Sequence, residues 1–399
     1  MPRFEFKEAP KLELSSQADW GNWQWQLRSS LKSLSDFEKV FVLSDEERQS
    51  FWGSESVFNI RTTPYYASLA DKTLVEDPIR KILMPNTLEK TPGLQEMLDP
   101  LGEKKNNPVP RVIHRYSDRC LLLITDTCSV YCRFCTRKHF TGQEQAFLKN
   151  DELENALSYI RSHPGIREVI LSGGDPLTVS DSQLDRVLSE LRKIDHIEII
   201  RIGSRMPVVC PQRITDDLVR VIRKHKPVFL MTHFNHPREL TSVAAAGLEK
   251  LVDNGVPVFN QMVLLNGVNN HEVIVQALSR RLLYLRVKPY YMFQCDPSEG
   301  TDHLRTSIED SLDIQKKLWG HLSGLAMPHY SIDIPHGGGK AYKVPNFETA
   351  HNGNVRTFVG WDGEKADYVS PDASQIKKPL DWEVYLDEWL RLKNSKNPV

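Results

Sequence analysis

Cysteine is scarce in this 399-residue chain: there are six in all, and three of them crowd into Cys128-Ser129-Val130-Tyr131-Cys132-Arg133-Phe134-Cys135. No second Cys-x-x-Cys pair accompanies Cys132 and Cys135, which argues against a closed four-ligand zinc site. No apolar run is long enough to cross a bilayer. The opening Met1-Pro2-Arg3-Phe4-Glu5-Phe6-Lys7-Glu8 carries charges where a signal peptide needs an apolar stretch, so the expectation is a cytoplasmic protein without disulfides. Net charge is also missing. Lys plus Arg (51) nearly cancels Asp plus Glu (52), so no global field recruits nucleic acid or an anionic membrane, and small molecules are the expected partners.

The first part of the chain reads as a helical segment over residues 1–110. Asp19-Trp20-Gly21-Asn22-Trp23-Gln24-Trp25-Gln26-Leu27 leads into Leu31, Leu34, Phe37 and Val40 at roughly helical spacing, with the tryptophans as core or interface residues. Ser44 with Glu47 reads as a capping box. Thr63-Pro64 and the proline-bearing loop Lys104 to Pro110 interrupt the pattern, and that loop marks a boundary. From Arg111 to Lys340, apolar strand-like runs alternate with helix-like segments such as Asp151 to Arg161 and Ser180 to Arg192, the signature of parallel βαβ units. Six strands are expected: Cys120 to Thr125, Glu168 to Leu171, Ile197 to Ile202, Val228 to Met231, Val256 to Leu264 and Tyr290 to Gln294. Tyr330 to Ile334 is a candidate seventh. Residues 341–399 form an extension with hairpin turns at Asn352-Gly353 and Asp362-Gly363, a helix over Trp382 to Leu392 and a frayed tail from Asn394 to Val399.

Spacing leaves an open doubly wound sheet and a closed or partly closed barrel both standing, but in either the chemistry collects beyond the carboxyl ends of the strands. Cys128, Gly173-Gly174-Asp175, His233, Asp296 and Asp333 all fall at such ends. Three thiolates on a four-iron cluster leave one iron open for a small molecule, which suggests catalysis. The glycine pair fits backbone approaching a ligand, or an ordinary strand-to-helix turn entered at Asp175. Gly337-Gly338-Gly339-Lys340 fails as a Walker A loop, since Ile334 and Ala341 stand where Gly and Ser or Thr are needed. Lys340 on a flexible glycine loop is instead a candidate Schiff-base lysine for pyridoxal phosphate, or simply a solvated lysine. Arg115, Tyr116 and Arg119 are candidates for the phosphate. Two carboxylates facing one pocket repel unless a cation sits between them, so a convergent Asp296 and Asp333 predict a cationic substrate group. Arg137 has the opposite polarity and suits a carboxylate. His233 and His236 fit hydrogen-bonded loop structure better than a metal site. Cys120 and Cys210 read as core thiols, and Cys295 has no assigned role.

Cys128-x3-Cys132-x2-Cys135, with Phe134 before the last cysteine, is similar to the radical S-adenosylmethionine signature. The segment Asp126 to Arg137 resembles more narrowly the lysine 2,3-aminomutase family, as do Ser172-Gly173-Gly174-Asp175, Pro289-Tyr290-Tyr291 and Asp333-x6-Lys340. The resemblance runs from about Trp20 to near Pro371. It implies an α/β fold, a partial (βα)6 TIM-like barrel, in which Cys128, Cys132 and Cys135 hold a [4Fe-4S] cluster whose open iron binds S-adenosylmethionine. It places Gly173, Gly174 and Asp175 at the amino group of that cofactor, Lys340 in an internal aldimine with pyridoxal 5′-phosphate, and Arg115, Tyr116 and Arg119 near the phosphate. His233 and Gln261 complete the candidate cofactor contacts. Arg137 matches the residue gripping the substrate carboxylate, and Asp296 with Asp333 the pair gripping a lysine side-chain ammonium.

The implied activity is migration of the α-amino group of L-lysine to the β-carbon, giving L-β-lysine. A flavodoxin- or ferredoxin-type reductant is the expected partner, without nucleic acid or membrane. Some family members carry a C-terminal cysteine cluster that binds zinc across subunits, and a cysteine where this chain has His271. A homo-oligomer without bridging zinc is therefore expected. His336 stands where the family usually has glycine. Alternatives are an aminomutase for another cationic amino acid such as arginine, a supplier of β-lysine for modifying elongation factor P, an electron-transfer iron-sulfur protein, and a zinc-stabilised binding module.

Overall fold

In the computed structural model, which describes residues 4–13, 17–52 and 58–394, the apolar runs after position 111 become the strands of one curled sheet. In chain order and in spatial order these are β1 (Val112–Tyr116), β2 (Arg119–Thr125), β3 (Glu168–Gly173), β4 (Ile199–Gly203), β5 (Val228–Thr232), β6 (Val258–Leu264), β7 (Lys288–Gln294), β8 (His329–Ile334) and β9 (Gly339–Tyr342). Neighbours from β2 to β8 are parallel, and antiparallel hairpins β1–β2 and β8–β9 finish the two edges. The expected strands are all present, the seventh included. The two edge strands were not anticipated.

The connections are helical because the sequence caps them and gives each an apolar stripe. Ser180 caps Asp181–Arg192, whose Leu184, Val187, Leu188 and Leu191 are buried at helical spacing against the sheet. Thr215, Thr241, His271 and Ser307 cap the later helices in the same way. His271 therefore has a local task, accepting from the Val273 amide. Along β6 the residues Val258, Asn260, Met262 and Leu264 are buried toward the helices, while Phe259, Gln261 and Val263 line the interior.

Side chains draw the two edges together. Arg115 on β1 reaches Asp333 on β8 at 3.4 Å, and a Cβ at Gly339 would lie 3.6 Å from the Tyr116 hydroxyl. The architecture is thus a nearly closed α/β barrel whose last gap is spanned by a charge pair and not by backbone pairing.

The N-terminal segment wraps the barrel with short capped helices, including the expected Ser44/Glu47 box. Thr63-Pro64 does not break a helix: Thr63 caps, and Pro64 begins, Pro64–Ser68, where a missing N–H costs nothing. One apolar core runs from Trp20, Phe37 and Tyr65 into Leu122, Leu171 and Ile202 of the barrel. The C-terminal extension is a three-stranded antiparallel sheet, β10 (Glu348–Asn352), β11 (Val355–Val359) and β12 (Lys365–Val369), with connections at the two expected turns. A 3-10 turn, Trp382–Tyr385, precedes helix Leu386–Asn394; residues 395–399 of the expected frayed tail lie outside the described residues. No helix of the described residues is long and apolar enough to cross a membrane.

Candidate active site

Beyond the end of β2 the chain turns into the cysteine loop, and the end of β3 holds that turn in place. The Gly174 amide donates to the Thr125 carbonyl at 2.7 Å and the Asp175 amide to the Thr127 carbonyl at 2.8 Å. A Cβ at Gly173 (φ 123) would lie 2.1 Å from the Thr125 oxygen, and one at Gly174 2.3 Å from the Thr127 oxygen. The glycines are needed because protein backbone approaches there. Asp175 is buried and accepts from Leu177 N, Ser204 Oγ and Arg205 N, tying the ends of β3 and β4 together. Burial pushes its carboxyl pKa up.

Cys128, Cys132 and Cys135 all open on the same cavity. Burial raises the thiols of Cys128 and Cys135, so thiolates there need a metal to stabilise them. Donors surround the sulfurs: Arg205 Nη1 reaches Cys132 Sγ at 2.8 Å, and the Arg137 amide reaches Cys135 Sγ at 3.3 Å. Among the described residues no three His, Cys, Asp or Glu converge on a single ion. A multi-iron cluster takes each thiolate on a different iron, so three thiols spread over one wall fit it.

A second wall of the cavity is the β8–β9 hairpin. Asp333 and Lys340 are cross-strand partners, and Lys340 Nζ lies 2.8 and 2.9 Å from the Asp333 oxygens and 4.7 Å from the centre of the Phe293 ring. Lys340 is therefore not on a flexible loop: pairing with β8 aims its amine inward. His336 in the connecting turn has φ 61, the left-handed conformation that suits glycine. Asp296, just past β7, shares the cavity, and its carboxyl is pushed up to about 7, first by burial and then by the Asp333 charge. The two carboxylates thus border one cavity. Arg115 and Arg119 stack on Tyr116, with Cζ atoms 4.8 and 3.9 Å from the ring centre, and both guanidinium groups and the phenol border the cavity. An amine beside two stacked cations fits an aldehyde-bearing phosphate.

Arg137 donates to Glu103 and to Ser172 Oγ. His233 packs against Phe134 in a tilted arrangement, with ring centres 5.4 Å apart. Burial, then Arg205, pushes its pKa down to about 3. Its buried Nε2 makes no hydrogen bond among the described residues, which suits a ring facing a ligand. Gln261 lies on the β6 wall. The cavity is about 760 Å³, toward the upper end of the ~300–1,000 Å³ range of small-molecule sites. Every residue expected at the site borders it.

Sequence reasoning gave no site role to Glu103, Arg201 or Arg205, which border the cavity, and named Ser172 only within a motif. Arg205 was findable, since Ser204-Arg205 follow β4 as the other site residues follow their strands. Arg201 pairs with Glu168 inside the barrel, and only the inward period of β4 hinted at it.

Two family descriptions match the chain: "Radical SAM superfamily" over residues 122–275 and "Lysine-2,3-aminomutase" over residues 315–393. The chain is 42% identical over 356 residues to the L-lysine 2,3-aminomutase of Clostridium subterminale, covering 89% of this chain and 86% of that one. It is 40% identical to that of Bacillus subtilis over 93% and 79% of the two chains. The glutamate 2,3-aminomutase of Clostridioides difficile is 37% identical over 91% and 86%. With cysteine wall, amine hairpin and identity along nine-tenths of its length in agreement, the chain belongs to the lysine 2,3-aminomutase family.

Proposed function

We infer that the protein is an isomerase that moves the α-amino group of L-lysine to the β-carbon, with a [4Fe-4S] cluster, S-adenosylmethionine and pyridoxal 5′-phosphate as cofactors. The observation that carries the choice of lysine over glutamate is the buried Asp296/Asp333 pair, which faces the same cavity as Arg137. A glutamate side chain there would set a third carboxylate against two, whereas an ammonium adds a cation beside the buried Asp296, Asp333 being already held by Lys340 and Arg115.

Cys128, Cys132 and Cys135 would hold the cluster, with Arg205 donating to a sulfur. Gly173, Gly174, Asp175, His233 and Gln261 would frame S-adenosylmethionine. Lys340 would hold the aldehyde carbon of pyridoxal phosphate, and Arg115, Tyr116 and Arg119 its phosphate. When bound, these groups supply reversible hydrogen-atom abstraction and a conjugated carrier for the migrating nitrogen. The chain's own share is placement: Arg137 fixes the substrate carboxylate, and Asp296 and Asp333 fix the far ammonium. The β-carbon between them is then presented in one orientation, and the barrel walls keep water from a reactive carbon. Burial keeps His233 neutral, so the ring adds no positive charge beside a cationic sulfonium. A flavodoxin- or ferredoxin-type reductant, self-association without bridging zinc, a cytoplasmic location and unit boundaries at 110 and 340 belong to the same proposal.

The test is anaerobic turnover of the reconstituted protein with reductant, S-adenosylmethionine and pyridoxal phosphate against lysine, arginine and glutamate. β-Lysine is expected. Turnover of glutamate in preference to lysine would overturn the assignment.

A further inference from the structure

Glu103 lies in the segment that joins the N-terminal helices to the barrel, where nothing in the sequence marks it. Its carboxylate is only 7% exposed and grips one edge of Arg137: Nε lies 2.8 and 3.0 Å from the two carboxylate oxygens, and Nη2 2.8 Å from Oε1. Ser172 Oγ takes Nη1 at 2.7 Å. A guanidinium has five N–H groups in a rigid planar fork. With the Nε edge filled by Glu103 and one Nη1 hydrogen taken by Ser172, one hydrogen remains on each terminal nitrogen for a carboxylate in the cavity that Arg137 borders.

The segment carrying Glu103 is itself pinned. The amides of Glu103 and Lys104 donate to Asp99 at 2.8 and 2.9 Å. The Leu101 carbonyl accepts from Arg115 at 3.2 Å. Gly102 packs so closely on the β8–β9 turn that a Cβ would lie 2.7 Å from the His336 carbonyl oxygen. One short segment thus touches the carboxylate end of the cavity and the hairpin that bears Asp333 and Lys340.

We propose that Glu103 is a positioning residue for substrate recognition: it holds Arg137 by one edge so that the terminal N–H pair faces the cavity and receives the α-carboxylate of the amino acid. This rests on the assignment of Arg137 to that carboxylate. The segment 99–106 then sets the spacing between the carboxylate clamp and the Lys340 hairpin, matching it to one length of amino acid.

The experiment compares full-length holoenzyme with Glu103→Gln, Glu103→Asp and Arg137→Lys variants, using L-lysine and L-lysinamide, which lacks the carboxylate charge. Affinity is read at equilibrium without reductant, from the absorption of bound pyridoxal phosphate, and KM and kcat are read with reductant. For Glu103→Gln, lysine binding is expected to weaken about tenfold, as when one charge-assisted bond is lost, with lysinamide binding and iron content unchanged and partial recovery in Glu103→Asp. Tighter lysine binding in Glu103→Gln would mean that Glu103 competes with substrate and would overturn the proposal. A fall in Tm with unchanged lysine-to-lysinamide discrimination would reduce Glu103 to a structural ion pair and also overturn it. If Arg137→Lys leaves that discrimination intact, the assignment of Arg137 itself fails, an outcome distinct from failure of Glu103 alone.

Discussion

The two walls of the cavity are built on different physical grounds. On the cysteine wall, backbone fixes the geometry: glycines at 173 and 174 let β3 press on the Thr125–Thr127 turn, and amide hydrogen bonds lock the contact. On the hairpin wall, charge fixes it: Asp333 is shared by Lys340 and Arg115, and burial, then the Asp333 charge, raises the Asp296 carboxyl to about 7. The first wall is complete as folded and should tolerate almost no change in shape. The second is held by charges, one of them a carboxyl raised to about 7, and should respond to pH and to ligand.

The contrast predicts the largest effect for Gly174→Ala. Its Cβ meets a backbone oxygen that cannot move aside, so a loss of about 3 kcal/mol is expected, together with loss of bound iron. Melting and iron analysis check both, and a stable iron-loaded variant would break the comparison. Next in size, Lys340→Ala should abolish the visible band of lysine-bound pyridoxal phosphate while leaving iron content unchanged; loss of both would mean that the walls are not independent.

Asp296→Asn should weaken lysine binding about 10- to 100-fold, the range for removing a charged hydrogen-bonding partner. In the parent protein, lysine affinity should rise with pH through about 7, because Asp296 must release its proton before it can hold an ammonium. The linkage has a matching sign in stability. The folded-state pKa lies above the ordinary 3.8, so the ligand-free protein binds more protons than the unfolded chain and loses stability as pH rises toward 7. Titrations of binding and of Tm with pH check this, and Asp296→Asn should flatten both. The smallest effect is expected for His336→Gly, which relieves a left-handed φ of 61 and should stabilise by up to about 1 kcal/mol, visible as a rise in Tm.

Most of the barrel was legible because each parallel strand is a short apolar run flanked by a capped amphipathic helix, and both signals are local. The edge strands were not. Val112–Tyr116 reads Val-Ile-His-Arg-Tyr, and Gly339–Tyr342 reads Gly-Lys-Ala-Tyr; neither has a strand's apolar run, and each exists because a neighbouring strand offers it hydrogen bonds. Lys340 was thus read on a flexible loop, whereas pairing with β8 makes it part of a strand. The Gly173-Gly174 pair was legible as a close approach, but what approaches was settled only by the fold, which brings protein backbone there.

What the sequence determined by itself was the chemistry: three cysteines at fixed short spacing with a guanidinium just beyond them, two acids at strand ends and one amine after a glycine run, each a property of residue type and local order. What only the tertiary structure decided was which charges face each other. The pairing of Asp296 with Asp333, of Arg115 across the barrel's gap and of Glu103 with Arg137 joins residues 34 to 218 positions apart. Electrostatic energy depends on their distance through space and on burial, and neither quantity is written in the order of the chain.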